Sequence, residues 1–149
     1  RAAGWEPMVL QIPDGEANKG LTTWSTLLCE LLDRGVDRST PVIALGGGVT
    51  GDIVGFAAAS VLRGVPFIQI PTTLLAMVDS SVGGKTGVNT PHGKNLVGAF
   101  YQPSLVYVDV ETLKTLEGEE FLAGMGEVVK HALLADEDFF GWLSKVWRR

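Results

Sequence analysis

The sequence predicts an α/β fold built on a parallel sheet, followed by a region of helices. The apolar run "PVIALGGG" stops abruptly in glycine, which is typical of a parallel strand buried on both faces, and "VPFIQIPTT" predicts a second strand. The segment between them, "TGDIVGFAAASVLRG", has small and apolar residues at helical spacing. Strand, glycine turn, helix and strand in this order predict the βαβ unit of a doubly wound sheet.

Further elements are expected on both sides of this unit. Val9–Ile12 resembles a short strand, and the apolar spacing of Leu21–Leu32 predicts a helix. Residues 74–80 favour a short helix that Thr72 or Thr73 would cap. "SLVYVDV" predicts one more buried strand.

From Glu117 onward the pattern becomes purely helical. "EEFLAGMGEVVKHALLAD" and "EDFFGWLSKVW" predict two helices joined near Ala135 and Asp136. We therefore expect one domain over residues 1–116 and the start of a helical domain over 117–149. The chain opens on Arg1 without Met, and its mean hydropathy of +0.22 is high for a small soluble domain. Both domains are expected to be truncated, so that the chain is a fragment.

Composition narrows the functional classes. A net charge of −5 disfavours nonspecific binding to nucleic acid. No apolar run approaches the roughly 18 to 20 residues that cross a bilayer, and the start has no signal-peptide pattern. The single cysteine, Cys29, forms no internal disulfide and suits a reducing cytoplasm; its leucine neighbours predict a buried apolar residue.

The turn "GGGVTGD", Gly46 to Asp52, connects a predicted parallel strand to the helix that follows it. Its glycines would let an anion such as a pyrophosphate approach the amides of the helix N-terminus. The spacing is not G-x-G-x-x-G, and a tight turn needing positive φ is the alternative. Four glycines in six residues favour the phosphate cradle. "PTT", Pro71 to Thr73, ends the next strand and could bind the same ligand or only cap a helix.

The segment "VDSSVGGKTGVNTPHGKN", Val78 to Asn95, is glycine-rich and contains little apolar bulk. Lys85 and Lys94 on so bare a loop predict an anionic ligand held by charge-assisted contacts. The alternative is a solvated surface hairpin. The number of glycines and Asp79 at the entrance favour the ligand.

Three polar residues share one face of the next predicted helix: Glu127, Lys130 and His131 at i, i+3 and i+4. Glu127 and His131 could both bind a metal ion, but a catalytic zinc site requires about three protein ligands. From the residues alone, an exposed ionic helix face is the better interpretation.

Taken together, six motifs identify a resemblance to the 3-dehydroquinate synthase family of sugar phosphate cyclases. They are "DGEANK", "GGGVTGD", "IPTTLLAMVDSSVGGKTGVN", "GKNLVGAFYQP", "TLKTL" and "GMGEVVKH", and they occur in the family's order over nearly the whole chain. The resemblance implies a Rossmann-like NAD-binding domain followed by an all-α metal-binding domain.

The resemblance also implies a reaction of the shikimate pathway, in which a seven-carbon phosphorylated keto-acid becomes 3-dehydroquinate and phosphate. NAD would act as a catalyst that takes a hydride and returns it, and a divalent metal, zinc or cobalt, would polarise the reacting hydroxyl. A cytoplasmic homodimer is expected, without nucleic-acid or membrane partners. Alternatives are a sister cyclase that makes an inosose or a valiolone, a metal-dependent polyol dehydrogenase, or a non-catalytic NAD-binding module.

Matched by motif, the resemblance assigns roles to individual residues. NAD contacts would come from Asp14, Glu16, Lys19, Gly48, Val49, Thr50, Gly51, Asp52, Thr72, Thr73, Lys85, Lys94, Thr112, Leu113, Lys114 and Thr115. The substrate pocket would be lined by Asp79, Lys85, Asn95 and Lys130, and Arg63 would reach the substrate phosphate in the neighbouring subunit of a dimer. Glu127 would bind the metal, whereas His131 and His92 have no family role.

Two departures from the family pattern stand out. Asn18 occupies a position where the family often has an aromatic residue. The family's two histidine metal ligands lie well downstream of Glu127, beyond the end of this chain. We therefore expect no turnover from the 149 residues by themselves.

Overall fold

The computed structural model describes residue 4 and residues 6–147. The regular elements are helices α1 (Leu21–Asp33), α2 (Gly48–Ser60), α3 (Gly118–Ala135) and α4 (Glu137–Val146), with strands β1 (Val42–Gly46), β2 (Phe67–Pro71), β3 (Lys85–Thr90), β4 (Gly93–Phe100) and β5 (Leu105–Val106). Short helical turns span Glu16–Asn18, Val61–Arg63, Ala76–Ser80 and Val110–Thr115. None of the helices in the described part is long and apolar enough to cross a membrane.

The predicted βαβ unit is confirmed. Strands β1 and β2 run parallel, with Val42 opposite Phe67, and helix α2 connects them. Strand β5 adds to the other edge of β2, also in parallel, so the order in this sheet is β1-β2-β5. Parallel strands joined through a helix place their carboxyl ends along one edge, where ligands of such sheets usually bind.

Helix α2 lies at the centre of the described fold. Its side chains are small and apolar on nearly every side, as expected for a buried helix, and Ile53 and Ala57 are fully buried. One side packs on β1 and β2, another on β3, and a third on α1. Gly55 permits this packing, because a Cβ there would lie 2.5 Å from Thr86 Cγ2. The site described below is therefore built around the N-terminus of a rigid helix.

The expectation that the first parallel strand, β1, is buried on both faces is wrong. On β1, Val42 and Ala44 are buried against α2, whereas Ile43 and Leu45 remain 53% and 64% exposed. The predicted strand near Leu105 is likewise short and largely exposed. The reason is that helices cover only one face of this sheet among the described residues.

Two local predictions at the start of the chain also fail. Val9–Ile12 forms no strand; Leu10 and Ile12 instead pack against the core as partly buried side chains. Cys29 is exposed. Helix α1 buries Leu27 and Leu31 on one side. Cys29 lies two residues from each of them, which places it on the opposite side of the helix.

The remaining helix predictions are confirmed. Helix α1 begins at Leu21 and ends one residue beyond the predicted Leu32, and α3 and α4 meet at Asp136. The Asp136 carboxylate caps α4 by accepting a hydrogen bond from Phe139 N at 2.9 Å. Thr73, one of the two expected caps, accepts from Ala76 N at 3.2 Å. Helix α3 begins at Gly118, next to the expected domain boundary, and the division into two domains stays a prediction.

Candidate active site

An open cleft of about 690 Å³ lies at the carboxyl ends of the parallel strands. Thr72 and Thr73 line it from the end of β2, and Thr112 and Thr115 line it from the helical turn Val110–Thr115. Thr72 and Thr73 are far from Thr112 and Thr115 in sequence, and all four belong to the expected NAD contacts. The other lining residues are Leu45, Asp109, Glu111 and Leu116. Leu113 and Lys114 belong to the same turn, where Lys114 forms an exposed ion pair with Glu111.

The N-terminus of α2 offers backbone donors beside β1. Its first helical hydrogen bond runs from Gly51 N to Gly47 O, so the amides of Gly48, Val49 and Thr50 precede the helical ladder. No side chain caps them. The Ser80 hydroxyl is buried without a hydrogen-bond partner in the described part of the chain, and a Cβ on Gly48 would lie 3.1 Å from it. Unpaired amides beside an orphaned hydroxyl suit an anion such as a pyrophosphate.

Packing explains much of the glycine content of this turn. A Cβ on Gly46 would lie 2.6 Å from Thr50 Oγ1, and a Cβ on Gly51 would overlap the Gln69 amide. Gly46 has a positive φ of +158°, whereas Gly47 has a φ of −77°. The number of glycines therefore does not by itself indicate a phosphate cradle, and the unpaired amides carry that argument instead.

Two of the expected NAD contacts bind each other. Lys19 is 5% exposed, and its Nζ lies 2.5 Å from Asp52 Oδ2. Burial raises the pKa of Asp52, and the hydrogen bond and charge of Lys19 oppose that shift. The pair ties the segment before α1 to the first turns of α2. Its direct part in NAD binding stays a prediction, since each charge is already compensated by the other.

From Lys85 onward, the segment expected to be a bare loop belongs to a β-hairpin, as in the alternative interpretation. Strands β3 and β4 pair antiparallel, with Lys85 opposite Phe100. The two backbones approach so closely that a Cβ on Gly87 would lie 2.7 Å from Val97 O, and one on Gly98 would overlap Thr86 O. The hairpin thus requires its own glycines, and their number is no sign of a ligand. Glycine-rich strands carry little of the usual strand pattern, which explains the error.

The expected anion-binding residues are distributed along this hairpin. Lys85 is exposed at the start of β3, and Lys94 is exposed at the start of β4. Lys94 Nζ lies 3.8 Å from Glu16 Oε1, so an expected NAD residue already offsets part of its charge. Asn95 follows with a left-handed φ of +55°. His92 is exposed in the turn between the strands.

Helix α3 brings a second group of expected site residues against the turn Ala76–Ser80. Gly124 permits this approach, because a Cβ there would lie 2.7 Å from Leu75 N. On α3, Glu127 Oε2 accepts from Lys130 Nζ at 2.8 Å. This bond raises the pKa of Lys130, and the carboxylate of Asp79 on the facing turn adds to the shift. Asp79 and Lys130, both assigned to the substrate pocket, therefore share one electrostatic environment.

The metal-binding side of the site has one expected ligand, Glu127. Among residue 4 and residues 6–147, no group of three or more His, Cys, Asp and Glu side chains converges to hold a metal ion. His131 is exposed on α3, one turn from Glu127. A metal at Glu127 would compete with Lys130 for the carboxylate.

Arg63 lies apart from these residues in a strained turn. Leu62 and Arg63 have left-handed φ values of +51° and +66°, which non-glycine residues rarely adopt. The Tyr101 hydroxyl donates to Val65 O at 2.7 Å, just after this turn. Such strain is typical of functional segments and persists only where the surroundings hold it.

Sequence reasoning missed three polar residues of the site: Ser80, Asn89 and Tyr101. Asn89 Nδ2 donates to Glu16 Oε1 at 2.8 Å, over a separation of 73 residues. Its only local signal is its place just before the Pro91 turn. Partners so distant in sequence leave no periodic pattern, so the contacts emerge only from the fold.

Comparison with known protein families shows which family the chain belongs to. The family model described as 3-dehydroquinate synthase N-terminal matches residues 9–123. The chain belongs to the 3-dehydroquinate synthase family. It is 58% identical to the 3-dehydroquinate synthase of Geobacter metallireducens over 144 residues, which are 97% of this chain and 40% of that protein. The chain spans about two fifths of the length of the curated relatives it matches.

Solved structures confirm the α/β fold class. A 2-deoxy-scyllo-inosose synthase, complexed with carbaglucose-6-phosphate, NAD+ and Co2+, matches with a TM-score of 0.81 and 40% identity, covering 85% of this chain and 34% of that one. The 2-epi-5-epi-valiolone synthase of Streptomyces hygroscopicus, with NAD+ and Zn2+ bound, matches with a TM-score of 0.82 and 39% identity, covering 85% and 36%. Both cyclases thus share the fold of this chain over the matched residues.

Proposed function

We propose that the protein carrying this chain is a 3-dehydroquinate synthase, which converts 3-deoxy-D-arabino-heptulosonate 7-phosphate to 3-dehydroquinate and phosphate. The observation that carries this proposal is the convergence at the strand ends. Unpaired amides of the α2 N-terminus, the orphaned Ser80 hydroxyl and the threonine-lined cleft lie where the family motifs assign NAD. The 58% identity to a 3-dehydroquinate synthase supports this substrate over others.

The described residues fit a dinucleotide. The amides of Gly48, Val49 and Thr50 would donate to its pyrophosphate, and the threonine hydroxyls of the cleft would orient the rest. When bound, NAD supplies a reversible hydride acceptor, and a zinc or cobalt ion at Glu127 polarises the reacting hydroxyl. Glu127 is one ligand of about three, so further ligands would come from outside residues 6–147.

Substrate binding would depend on positioned cations. Lys85 and Lys130 would contact the anionic groups of the substrate, with Asp79 and Asn95 orienting them and Arg63 reaching the phosphate of the neighbouring subunit. Much of the rate would come from positioning and electrostatics. In this proposal residues 1–116 form the NAD-binding domain, residues 117–149 begin the helical domain, and the enzyme is a cytoplasmic homodimer.

A sister cyclase is the second candidate, because inosose and valiolone synthases match the fold at about 40% identity. The distinction lies in the substrate. A synthase of 3-dehydroquinate must recognise a carboxylate in addition to the phosphate, whereas the sister enzymes act on sugar phosphates without one.

The test is an assay of the complete protein with NAD and zinc that follows phosphate release and NADH absorbance together. Release from the seven-carbon keto-acid phosphate without net NADH supports the proposal. Accumulation of NADH would indicate a dehydrogenase, and turnover of sugar 6-phosphates or 7-phosphates alone would indicate a sister cyclase. Binding of NAD without any turnover would leave only a nucleotide-binding module.

Two substitutions assign roles within that assay. Lys85→Ala should abolish most activity while the melting temperature stays near that of the wild type, because the Lys85 side chain is exposed and forms no hydrogen bond or ion pair among the described residues. Glu127→Ala should lower the zinc content measured by elemental analysis. Full zinc occupancy in that variant would exclude Glu127 as a ligand.

A further inference from the structure

Asn89 connects three segments that the sequence keeps far apart. Its backbone amide donates to Lys19 O at 2.8 Å, its Nδ2 donates to Glu16 Oε1 at 2.8 Å, and its Oδ1 accepts from Asn95 N at 3.0 Å. The expected NAD contacts Lys19 and Glu16 thus meet the expected substrate contact Asn95 through a single residue to which no role has been assigned.

The hairpin geometry explains why a side chain makes these bonds. The register of β3 and β4 shifts between Val88 and Thr90, so the regular ladder is interrupted at Asn89. Asn95 has a left-handed φ of +55°, which asparagine tolerates better than most residues. The Asn89 carboxamide replaces the missing ladder partner and holds Asn95 in that conformation.

The contacts close into a ring. Glu16 accepts from Asn89, Asn89 accepts from Asn95, and the residue before Asn95 is Lys94, whose Nζ lies 3.8 Å from the same Glu16 oxygen. A displacement of Glu16 would therefore shift Asn89 and, through it, the backbone of Lys94 and Asn95. Each member of the ring is an expected ligand contact except Asn89.

We propose that Asn89 is a positioning residue that couples the NAD side of the site to the substrate side. This inference rests on the proposed function, since it concerns how the same site holds a dinucleotide and an anionic substrate. Asn89 acts through its two partners: its donor orients the Glu16 carboxylate toward the cofactor, and its acceptor orients Asn95 and the neighbouring lysine toward the substrate.

Two variants of the complete protein separate the contact of Asn89 with Glu16 from its contact with Asn95. Asn89→Asp keeps an acceptor for Asn95 N but replaces the donor to Glu16 with a second carboxylate. It should raise the Kd for NAD about tenfold and leave the KM for the keto-acid phosphate near that of the wild type. Asn89→Ala removes both contacts and should raise both constants. Calorimetry supplies the Kd and phosphate release supplies the KM.

Rescue and control variants distinguish positioning from general weakening of the hairpin. In the Asn89→Asp protein, Glu16→Gln restores a donor–acceptor pair with the roles exchanged, so the double variant should bind NAD no more weakly than Glu16→Gln by itself. Thr90→Ala is the matched control. Among the described residues, the Thr90 hydroxyl bonds only within the turn, accepting from His92 N and donating to Gly93 O. It should leave both constants unchanged.

The outcomes distinguish the two levels of the argument. Active wild-type protein whose Asn89 variants match Thr90→Ala in Kd and KM would overturn the inference and leave the proposed function standing. Equal effects of Asn89→Asp and Asn89→Ala on both constants, without rescue, would overturn it as well. Wild-type protein that releases no phosphate would overturn the proposed function, and the coupling role with it.

Discussion

The ion pair of Lys19 and Asp52 illustrates how single residues can shape a site through the fold that surrounds it. The two side chains are 33 residues apart in sequence, and both are largely buried. Burial of two charges costs free energy that their attraction must offset, so loss of one partner leaves an uncompensated charge inside the protein. The pair fixes the start of α2, whose amides form the proposed pyrophosphate site.

We predict that Lys19→Met destabilises the protein by about 3 kcal/mol at neutral pH, because it leaves the buried Asp52 carboxylate without its cationic partner. Burial already raises the pKa of Asp52 above its ordinary value of 3.8, and removal of Lys19 removes the contact that opposes this shift. A raised carboxyl pKa gives stability that is present in acid and lost as the pH rises through the folded-state pKa. The penalty should therefore shrink in acid.

Urea titrations of wild type and variant at about pH 7 and about pH 4.5 measure this difference. The double variant Lys19→Met with Asp52→Leu is the control, since removal of both charges should recover most of the lost stability. A penalty that is equal at both pH values and persists in the double variant would mean that Lys19 contributes packing rather than charge compensation.

At the scale of elements, the strained turn Val61–Arg63 depends on a contact from elsewhere in the fold. Tyr101 follows β4, and its backbone amide donates to Gly84 O at 2.7 Å while its hydroxyl donates to Val65 O. Gly84 directly precedes Lys85, and Val65 lies two residues after Arg63. Tyr101 thus connects the base of the hairpin to the turn that presents Arg63.

We predict that Tyr101→Phe lowers stability by about 1 kcal/mol, because the buried Val65 carbonyl loses its donor. If Arg63 contacts the substrate phosphate, the KM for the phosphorylated substrate should rise as well, while the Kd for NAD should not change. Tyr107→Phe is the matched control, because the Tyr107 side chain is exposed and forms no hydrogen bond among the described residues. Thermal melts and steady-state kinetics of both variants test this; equal effects would contradict the role of Tyr101.

The elements that the sequence predicted are those with a strong local pattern. Helix α1 and the βαβ unit follow from apolar periodicity and from runs that stop at turn residues. The hairpin was only the alternative interpretation, because Gly87 and Gly98 interrupt the runs of β-branched and aromatic residues on which strand prediction depends. The site could be located at the strand ends and the α2 turn, but pairings such as Lys19 with Asp52 are tertiary and have no local signature.

At the scale of the whole molecule, one side of the sheet remains uncovered among the described residues. Ile43 and Leu45 on β1 point away from α2, and Ile68 and Leu105 lie beside them in register on the neighbouring strands. Strand β1 is thus apolar on both faces, as the sequence shows, but only one of these faces is buried among the described residues. Exposed apolar patches of this kind usually mark an interface.

A second apolar surface lies between the last two helices. Leu122, Met125 and Val129 of α3 face Phe140 and Leu143 of α4 across an open groove of about 520 Å³. The groove consists of residues on the apolar faces of amphipathic helices, and the sheet face belongs to an uninterrupted apolar strand sequence. Together they explain the positive mean hydropathy of the chain in physical terms: more apolar surface is present than the described residues cover.

This surplus predicts that the 149-residue chain, produced by itself, associates as its concentration rises, with the open sheet face as the principal contact. Ile43→Lys places a charge on that face, midway along β1, and should shift sedimentation velocity profiles toward the monomer. Leu32→Lys on α1 is the matched control, because Leu32 is 52% exposed against 53% for Ile43 but lies away from the sheet. A chain that stays monomeric at every concentration, or an equal response to both variants, would contradict an interface on the sheet, whereas a response to Ile43→Lys alone would identify it.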